Sequence, residues 1–217
     1  MTEIVALNNS DFDLQKSVEK AVSTLRDGKI IIAPLEHGYV LLCDAFNHGA
    51  VRSIHRLRND ARGVATQVVI GDASTARGLA RDFGSSITAL CQRFWPGLLT
   101  VNISAAQGLV WDLGDARTLE QISLRVPHSD FVRSVASQAG PLAAASASIA
   151  GQKPTRDSAV ILAAEREIST FFDGGELPEG PHSTVISVER EGVFLVREGA
   201  ITLTELKQVE PNIALLA

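Results

Sequence analysis

Short β-rich runs alternate with amphipathic helical stretches along this chain, and that alternation constrains the fold most. In the first unit, apolar residues recur at helical spacing from Leu14 to Leu25, and Gly28 follows as a stop signal. The β-rich run 30–33 comes next and is ended by Pro34. Strands interleaved with helices, some of them close enough for hairpins, predict an α/β fold on a mixed sheet.

The same alternation continues to the C-terminal region. The closing helix is expected to begin at Thr202, because Thr202 and Glu205 have the spacing of a capping box. Loop-forming residues are densest over 173–183. Further helices are predicted over 48–58, 74–83 and 86–94, and further strands over 40–43, 68–70, 99–103, 122–126, 184–188 and 193–197.

Bulk properties fit one globular domain over 1–217. The 217 residues are 45% hydrophobic and 21% charged, and no linker divides them. Cys43 and Cys91 sit in apolar company, which indicates buried free thiols in a reducing compartment. No apolar run approaches the roughly 18 residues of a membrane helix, and the N-terminus lacks a signal pattern. The sequence therefore predicts a cytoplasmic protein without a membrane partner.

Arginines cluster over 52–62 although the net charge of the chain is −5. Arg52 and Arg56 are four apart and would share a helix face, while Arg58 and Arg62 extend the charge into the following loop, with His55 among them. Guanidinium groups grip phosphate oxygens bidentately, so the cluster is a candidate phosphate or RNA site. The alternative is a solvated helix face, which the residues by themselves favour, and both readings stay open.

Four short phrases occur in order along the chain: Phe-Trp-Pro-Gly-Leu-Leu-Thr at 94–100, Arg-Val-Pro at 125–127, Ser-Ala-Ser at 146–148 and His-Ser-Thr-Val at 182–185. Together they resemble the YrdC/Sua5/YciO family, and the likeness covers about 13–207. The best-known members of that family make threonylcarbamoyl-adenylate for tRNA modification. The resemblance implies a single YrdC-like domain, in which helices flank a twisted open mixed sheet with a concave ligand-binding face.

The resemblance also implies a reaction. The family combines threonine, bicarbonate and ATP with magnesium on the phosphates, so the chain would be a nucleotidyltransferase of the tRNA N6-threonylcarbamoyladenosine pathway or of a related carbamoyl-adenylate reaction. ATP and a small amino acid are the implied ligands, and tRNA or double-stranded RNA a further partner. No metal ligands from the protein are implied, and both monomer and homodimer remain open.

The family's binding positions can be carried over residue by residue. The resemblance assigns the amino-acid substrate to Arg125 and Ser183, and to Leu35 at an altered position. It assigns no catalytic residue. The nucleotide and its phosphates are assigned to Arg58, Arg62, Ser146, Ser148 and Arg197.

Four positions that would carry the chemistry differ from the family pattern. Leu35 stands where the family has a threonine hydroxyl, and Ser148 where it has an asparagine. The family's Lys-x-Arg pair becomes Arg58 and Asp60. One unit charge about 4 Å from a phosphate is worth about 4 kcal/mol at an effective dielectric near 20, so reversing it would oppose binding.

These changes leave three hypotheses. The chain is a diverged adenylate-forming enzyme, a non-catalytic module that binds nucleotide or double-stranded RNA, or an interaction protein that keeps only the fold. The phrase 94–100 is expected to be structural, with Trp95 packed and Pro96 and Gly97 forming a turn. No P-loop, dinucleotide fingerprint or nucleophile elbow is present in the sequence.

Overall fold

The structure is a computed structural model that describes residues 2–10, 12–116, 118–157 and 168–216. The strands are β1 Glu3–Ala6, β2 Ile31–Pro34, β3 Tyr39–Asp44, β4 Gln67–Val69, β5 Leu99–Ser104, β6 Gln121–Arg125, β7 Leu142–Ser146, β8 Thr170–Asp173, β9 Thr184–Glu189, β10 Gly192–Arg197 and β11 Ala214–Leu215. The helices are α1 Leu14–Arg26, α2 His48–Arg58, α3 Ala73–Leu79, α4 Ser85–Phe94, α5 Asp130–Ala139 and α6 Leu203–Val209.

Local capping explains where the helices begin. The Asp13 carboxylate accepts from the backbone N–H of Lys16 at 3.1 Å at the start of α1. The predicted capping box at α6 is confirmed, since the Thr202 hydroxyl accepts from Glu205 N and the Glu205 carboxylate accepts from Thr202 N. Asn59 ends α2 in the left-handed conformation.

The eleven strands form one sheet in the order β1-β8-β2-β3-β7-β4-β6-β5-β9-β10-β11. Parallel pairs such as β5 with β9 alternate with antiparallel pairs such as β3 with β7. The predicted mixed α/β architecture is therefore confirmed. Its edge strands, β1 and β11, lie outside the predicted core limits of 13–207.

Some elements differ from the sequence expectation. The helix expected over 74–83 ends at Leu79, where the chain turns so that Ala80 bridges to Ala105. The edge strands β1 and β11 are four and two residues long, too short to show a period. Helix α5 and strand β8 were also not predicted.

The two faces of the sheet carry separate hydrophobic clusters. Ile31 and Ala33 pack on one face with α1 and α5, whereas Ile30 and Ile32 pack on the other face. This division follows the period of two in a strand. The face that bears α1 and α5 is the one on which the candidate site lies.

Both cysteines are buried and free, as the sequence indicated. Burial raises the pKa of the Cys43 thiol to about 12, and Asp44 raises it further by like-charge repulsion. Burial alone raises the pKa of Cys91 to about 12. Neither thiol is poised for nucleophilic chemistry. Within the described ranges, no helix is both long and apolar enough to span a bilayer.

Candidate active site

The predicted site residues share a face because of strand register. Val40 pairs with Ser146, and Val69 pairs with Arg125. Paired residues point to the same side of a sheet, and Val69 belongs to the cluster beneath α1 and α5. Where that face is not covered by the two helices, it bears a cavity of about 310 Å³. Five residues predicted from the sequence line this cavity: Leu35, Arg125, Ser146, Ser183 and Arg197.

Arg125 is the buried cation at the base of the cavity. Its Nε donates to the Gly97 carbonyl at 2.9 Å, and its Nη2 lies 2.5 Å from Glu36 Oε2. The contact with Glu36 is an ion pair without hydrogen-bond alignment, since Nη2 has no aligned acceptor among the described residues. Glu36 is fixed in turn by the backbone N–H of His128 at 2.7 Å. The guanidinium is thus held in one orientation facing the cavity.

The phrase 94–100 does more than pack. The Trp95 indole donates to the Leu99 carbonyl at 2.7 Å, and Gly97 N donates to Val126 O at 2.8 Å, so the turn is bound to the end of β6. The Gly97 carbonyl then orients Arg125. The contacts of this phrase are structural, as predicted, and one of them positions a cavity side chain.

A chain of hydrogen bonds positions Ser183. Gln67 Nε2 donates to Thr100 Oγ1 at 2.9 Å, and Thr100 Oγ1 donates to Ser183 Oγ at 3.0 Å. Arg197 Nη2 donates to the Ser183 carbonyl at 2.8 Å. A Cβ at Gly199 would lie 2.3 Å from the carbonyl oxygen of residue 182, so only glycine allows this close approach. Gln67 and Thr100 were not predicted as site residues. Neither lines the cavity, and only hydrogen bonds between distant parts of the chain connect them to Ser183.

The loop that forms the outer wall of the cavity is anchored by Tyr39. Its hydroxyl accepts from Gly174 N at 3.0 Å and lies 2.6 Å from the Gly175 carbonyl and 3.1 Å from Asp173 Oδ1. Burial, followed by the nearby Asp173 carboxylate, raises the pKa of Tyr39, so it stays a neutral donor. The ring of His37 packs against Gly180 in the same loop.

Two cations that sequence reasoning missed also line the cavity. Lys153 and Arg156 follow β7 in the segment that runs beneath the 174–183 loop. Arg156 Nη1 donates to the Leu177 carbonyl at 3.0 Å.

Arg58 and Asp60 form a partly buried cluster and do not line the cavity. Arg58 Nε donates to both carboxylate oxygens of Asp60, at 3.2 and 3.1 Å, and the side chains are 15% and 6% exposed. Arg58 Nη1 donates to the carbonyls of Ser146 and Ser148. We call Arg58, Asp60 and His55 the α2 clamp, since His55 Nδ1 lies 2.9 Å from Asp60 Oδ2.

The clamp continues through His55 into the next loop. His55 Nε2 lies 2.8 Å from the Leu113 carbonyl. A Cβ on Gly114 would lie 2.1 Å from the same nitrogen, and Gly114 has a φ of +102°. Both the close contact and the backbone conformation therefore require glycine at this position. The carboxylate of Asp60 is therefore held by side chains within the protein, namely Arg58 and His55.

Three predicted phosphate-binding residues lie outside the cavity lining: Arg58, Arg62 and Ser148. Arg62 is exposed in the loop after α2. Ser148 Oγ lies 2.9 Å from Ser146 Oγ, so it contacts a cavity residue without lining the cavity. Within the described part of the chain, no group of three or more histidine, cysteine, aspartate or glutamate side chains could hold a metal ion.

A family model described as "Telomere recombination", the Sua5/YciO/YrdC model, matches residues 23–199. The fold is of the mixed α/β class, and the family model matches most of the length of this chain. The chain belongs to the Sua5/YciO/YrdC family.

Individual relatives agree with this placement. A Bacillus subtilis relative named threonylcarbamoyl-AMP synthase is 28% identical over 194 residues, which are 88% of this chain and 56% of the relative. A Mycobacterium leprae relative is 26% identical over 195 residues and is matched over 88% of its own length. The family thus includes chains of about this size as well as longer ones.

Solved structures show the same fold. Sua5 of P. abyssi, solved in complex with L-threonine, superposes with a TM-score of 0.87 at 25% identity, covering 99% of this chain and 63% of Sua5. The chain thus spans less than two thirds of that protein. YciO of E. coli superposes with a TM-score of 0.82 at 21% identity, covering 95% of this chain and all of YciO.

Proposed function

We propose that this chain is a nucleotidyltransferase of the threonylcarbamoyl-AMP synthase type, which forms an amino-acid carbamoyl adenylate from ATP. The observation that carries the proposal is the convergence of Arg125, Ser146, Ser183 and Arg197 on one cavity, from three strands and the loop before β9. Relatives that bear the synthase name and a threonine complex of Sua5 support it. The product belongs to tRNA N6-threonylcarbamoyladenosine formation or to a related carbamoyl-adenylate reaction.

In the proposed reaction, the amino group of the amino acid adds to bicarbonate-derived CO₂ and gives a carbamate. A carbamate oxygen attacks the α-phosphorus of MgATP, and the bond between that phosphorus and the α,β-bridging oxygen breaks, so that pyrophosphate leaves with this oxygen. No protein nucleophile is needed. Catalysis then depends on placing the two substrates in line and on stabilising charge on the phosphates.

Arg125 is assigned to the amino-acid carboxylate. Gly97 O and Glu36 hold its Nε and Nη2, which leaves Nη1 to contact the substrate. Ser183 is oriented by Thr100 and is assigned to the same substrate. A guanidinium fixed on two sides loses little side-chain entropy when it binds a carboxylate.

Leu35 sets the side-chain preference of the amino-acid site. It lines the cavity with the apolar Val40 and Leu98, so the wall offers no hydroxyl at this position. A site without a hydrogen-bonding partner discriminates poorly between a hydroxyl and a methyl group. We therefore expect weak preference for threonine over an apolar amino acid of the same shape.

The experiment is pyrophosphate release from MgATP and bicarbonate with a panel of amino acids, with mass spectrometry of the adenylate. We expect turnover with threonine and with small apolar amino acids. Absence of pyrophosphate and adenylate with every member of the panel would overturn the proposal.

RNA binding is the alternative function, and one observation favours it. Arg52 and Arg56 are exposed on α2, and Arg62 is exposed in the loop that follows. Titration with tRNA and with double-stranded RNA at increasing salt tests it, because phosphate contacts weaken steeply as salt rises. Binding that falls with salt, and falls further in Arg52→Gln, would support this function; absence of salt-sensitive binding would exclude it.

A further inference from the structure

Cationic side chains reach the cavity from the segment after β7 and not from the end of α2. We propose that Lys153 and Arg156 bind the phosphate chain of the nucleotide in this protein, a task for which positions 58 and 60 are no longer available. The inference rests on the proposed adenylate-forming function and identifies the residues that receive its polyphosphate.

The α2 clamp lies outside the cavity lining, and Arg58 would have to leave the clamp to reach a ligand in the cavity. The single proton on Arg58 Nε is shared by the two Asp60 oxygens, and Nη1 donates to the carbonyls of Ser146 and Ser148. Three of its five N–H donors are therefore used inside the protein. Withdrawing Arg58 towards a ligand would leave the carboxylate of Asp60 buried with its main cation lost.

The segment that carries Lys153 and Arg156 is held by its backbone on two sides. Tyr39 N donates to Thr155 O at 2.8 Å, and Leu177 N donates to Arg156 O at 3.0 Å. Pro154 packs against Gly38, where a Cβ would lie 2.8 Å from the proline ring. Cations on a fixed backbone bind an anion with less ordering cost than cations on a free loop.

Charge in the cavity matches a polyphosphate. The lining contains four cations, Arg125, Lys153, Arg156 and Arg197, against the carboxylates Glu36 and Glu179, a balance of +2 with histidines neutral. The whole chain carries −5. An amino-acid carboxylate needs one cation, and Arg125 provides it. The remaining cations exceed what an amino acid requires and fit a polyphosphate chain.

Inorganic pyrophosphate is the probe, because its binding requires no turnover. Its affinity is measured by calorimetry for the unchanged chain, for Lys153→Gln, for Arg156→Gln and for the double variant. Each single variant is expected to bind about tenfold more weakly, as loss of one charge-assisted contact predicts, and the double variant about a hundredfold. Arg156→Lys keeps the charge and should recover part of the loss, while circular dichroism checks folding.

Two matched variants complete the test. Lys207→Gln, on α6 away from the cavity, should bind pyrophosphate like the unchanged chain. Arg62→Gln tests the loop after α2 and should also leave binding unchanged. The inference is overturned if the unchanged chain does not bind pyrophosphate, if the Lys153 and Arg156 variants bind it normally, or if Arg62→Gln loses as much as they do.

The two proposals fail separately. Pyrophosphate binding that depends on Lys153 and Arg156, in a chain that forms no adenylate, would sustain the phosphate site and contradict the proposed function. Adenylate formation, together with normal pyrophosphate binding by both variants, would support the proposed function and contradict the phosphate site at Lys153 and Arg156.

Discussion

Two regions of this molecule use their polar side chains differently. Around the cavity, Arg125, Ser146, Ser183 and Arg197 line one space. At the end of α2, Arg58 bonds to Asp60 and to the backbone and lies outside the cavity lining. The family resemblance assigns Arg58 and the cavity residues to one substrate site, whereas the structure separates Arg58 from the others.

The comparison changes how Asp60 is interpreted. From the sequence alone, a carboxylate at position 60 opposes a phosphate by about 4 kcal/mol, if both lie about 4 Å apart at an effective dielectric near 20. In the structure its charge is compensated by Arg58, and its side chain is 6% exposed. Asp60 is thus paired with Arg58 and places no negative charge in the cavity lining.

The largest expected effect is on stability and tests the structural half of the comparison. Asp60→Asn should lower the free energy of unfolding by about 3 kcal/mol, because it leaves the Arg58 charge partly buried without its partner. Urea unfolding measures this. The control is Asp82→Asn at an exposed position, which should change stability by less than about 0.5 kcal/mol. Equal, small effects of both substitutions would show that the clamp does not stabilise the fold.

The next effect is on activity and tests the cavity half. Arg125→Gln should lower kcat/KM for adenylate formation about a hundredfold, since a buried charge-assisted contact to the carboxylate is lost. Arg190→Gln, exposed in the turn between β9 and β10, is the matched control and should leave kcat/KM unchanged. Steady-state pyrophosphate release measures both. An Arg125→Gln enzyme as active as the control would remove Arg125 from the site.

The smallest expected effect concerns selectivity at Leu35. Leu35→Thr should raise the ratio of kcat/KM for threonine over valine about tenfold, because it adds a hydroxyl to the wall. Leu35→Val introduces a side chain with nearly the shape of threonine but without its hydroxyl, and it should leave the ratio unchanged. If the two variants shift the ratio equally, volume at position 35 matters and hydrogen bonding does not.

Much of the fold could be predicted because its signals are local. The face of α1, the capping box at Thr202 and the alternation along β5 and β6 are each contained in a short stretch of sequence. The strands β1 and β11 could not be predicted, because short edge strands are defined by their partners β8 and β10 and not by their own pattern.

The site was predictable where a residue type and its orientation follow from a strand. Arg125 and Ser146 lie at strand ends on a face that the period of two defines. Lys153 and Arg156 lie on a segment without regular structure, and only the tertiary contacts with Tyr39 and Leu177 bring them to the cavity. The pairing of Arg58 with Asp60 likewise depends on side-chain direction, which spacing does not give.

The central claim is that the cavity binds the nucleotide while the α2 clamp stays intact. A crystal structure with a non-hydrolysable ATP analogue and magnesium tests it most directly. We predict phosphate oxygens within hydrogen-bond distance of Lys153 or Arg156, with the Arg58 Nε contact to Asp60 near the 3.1 to 3.2 Å seen here. Phosphates bound by Arg58, with its bond to Asp60 broken, would contradict the account.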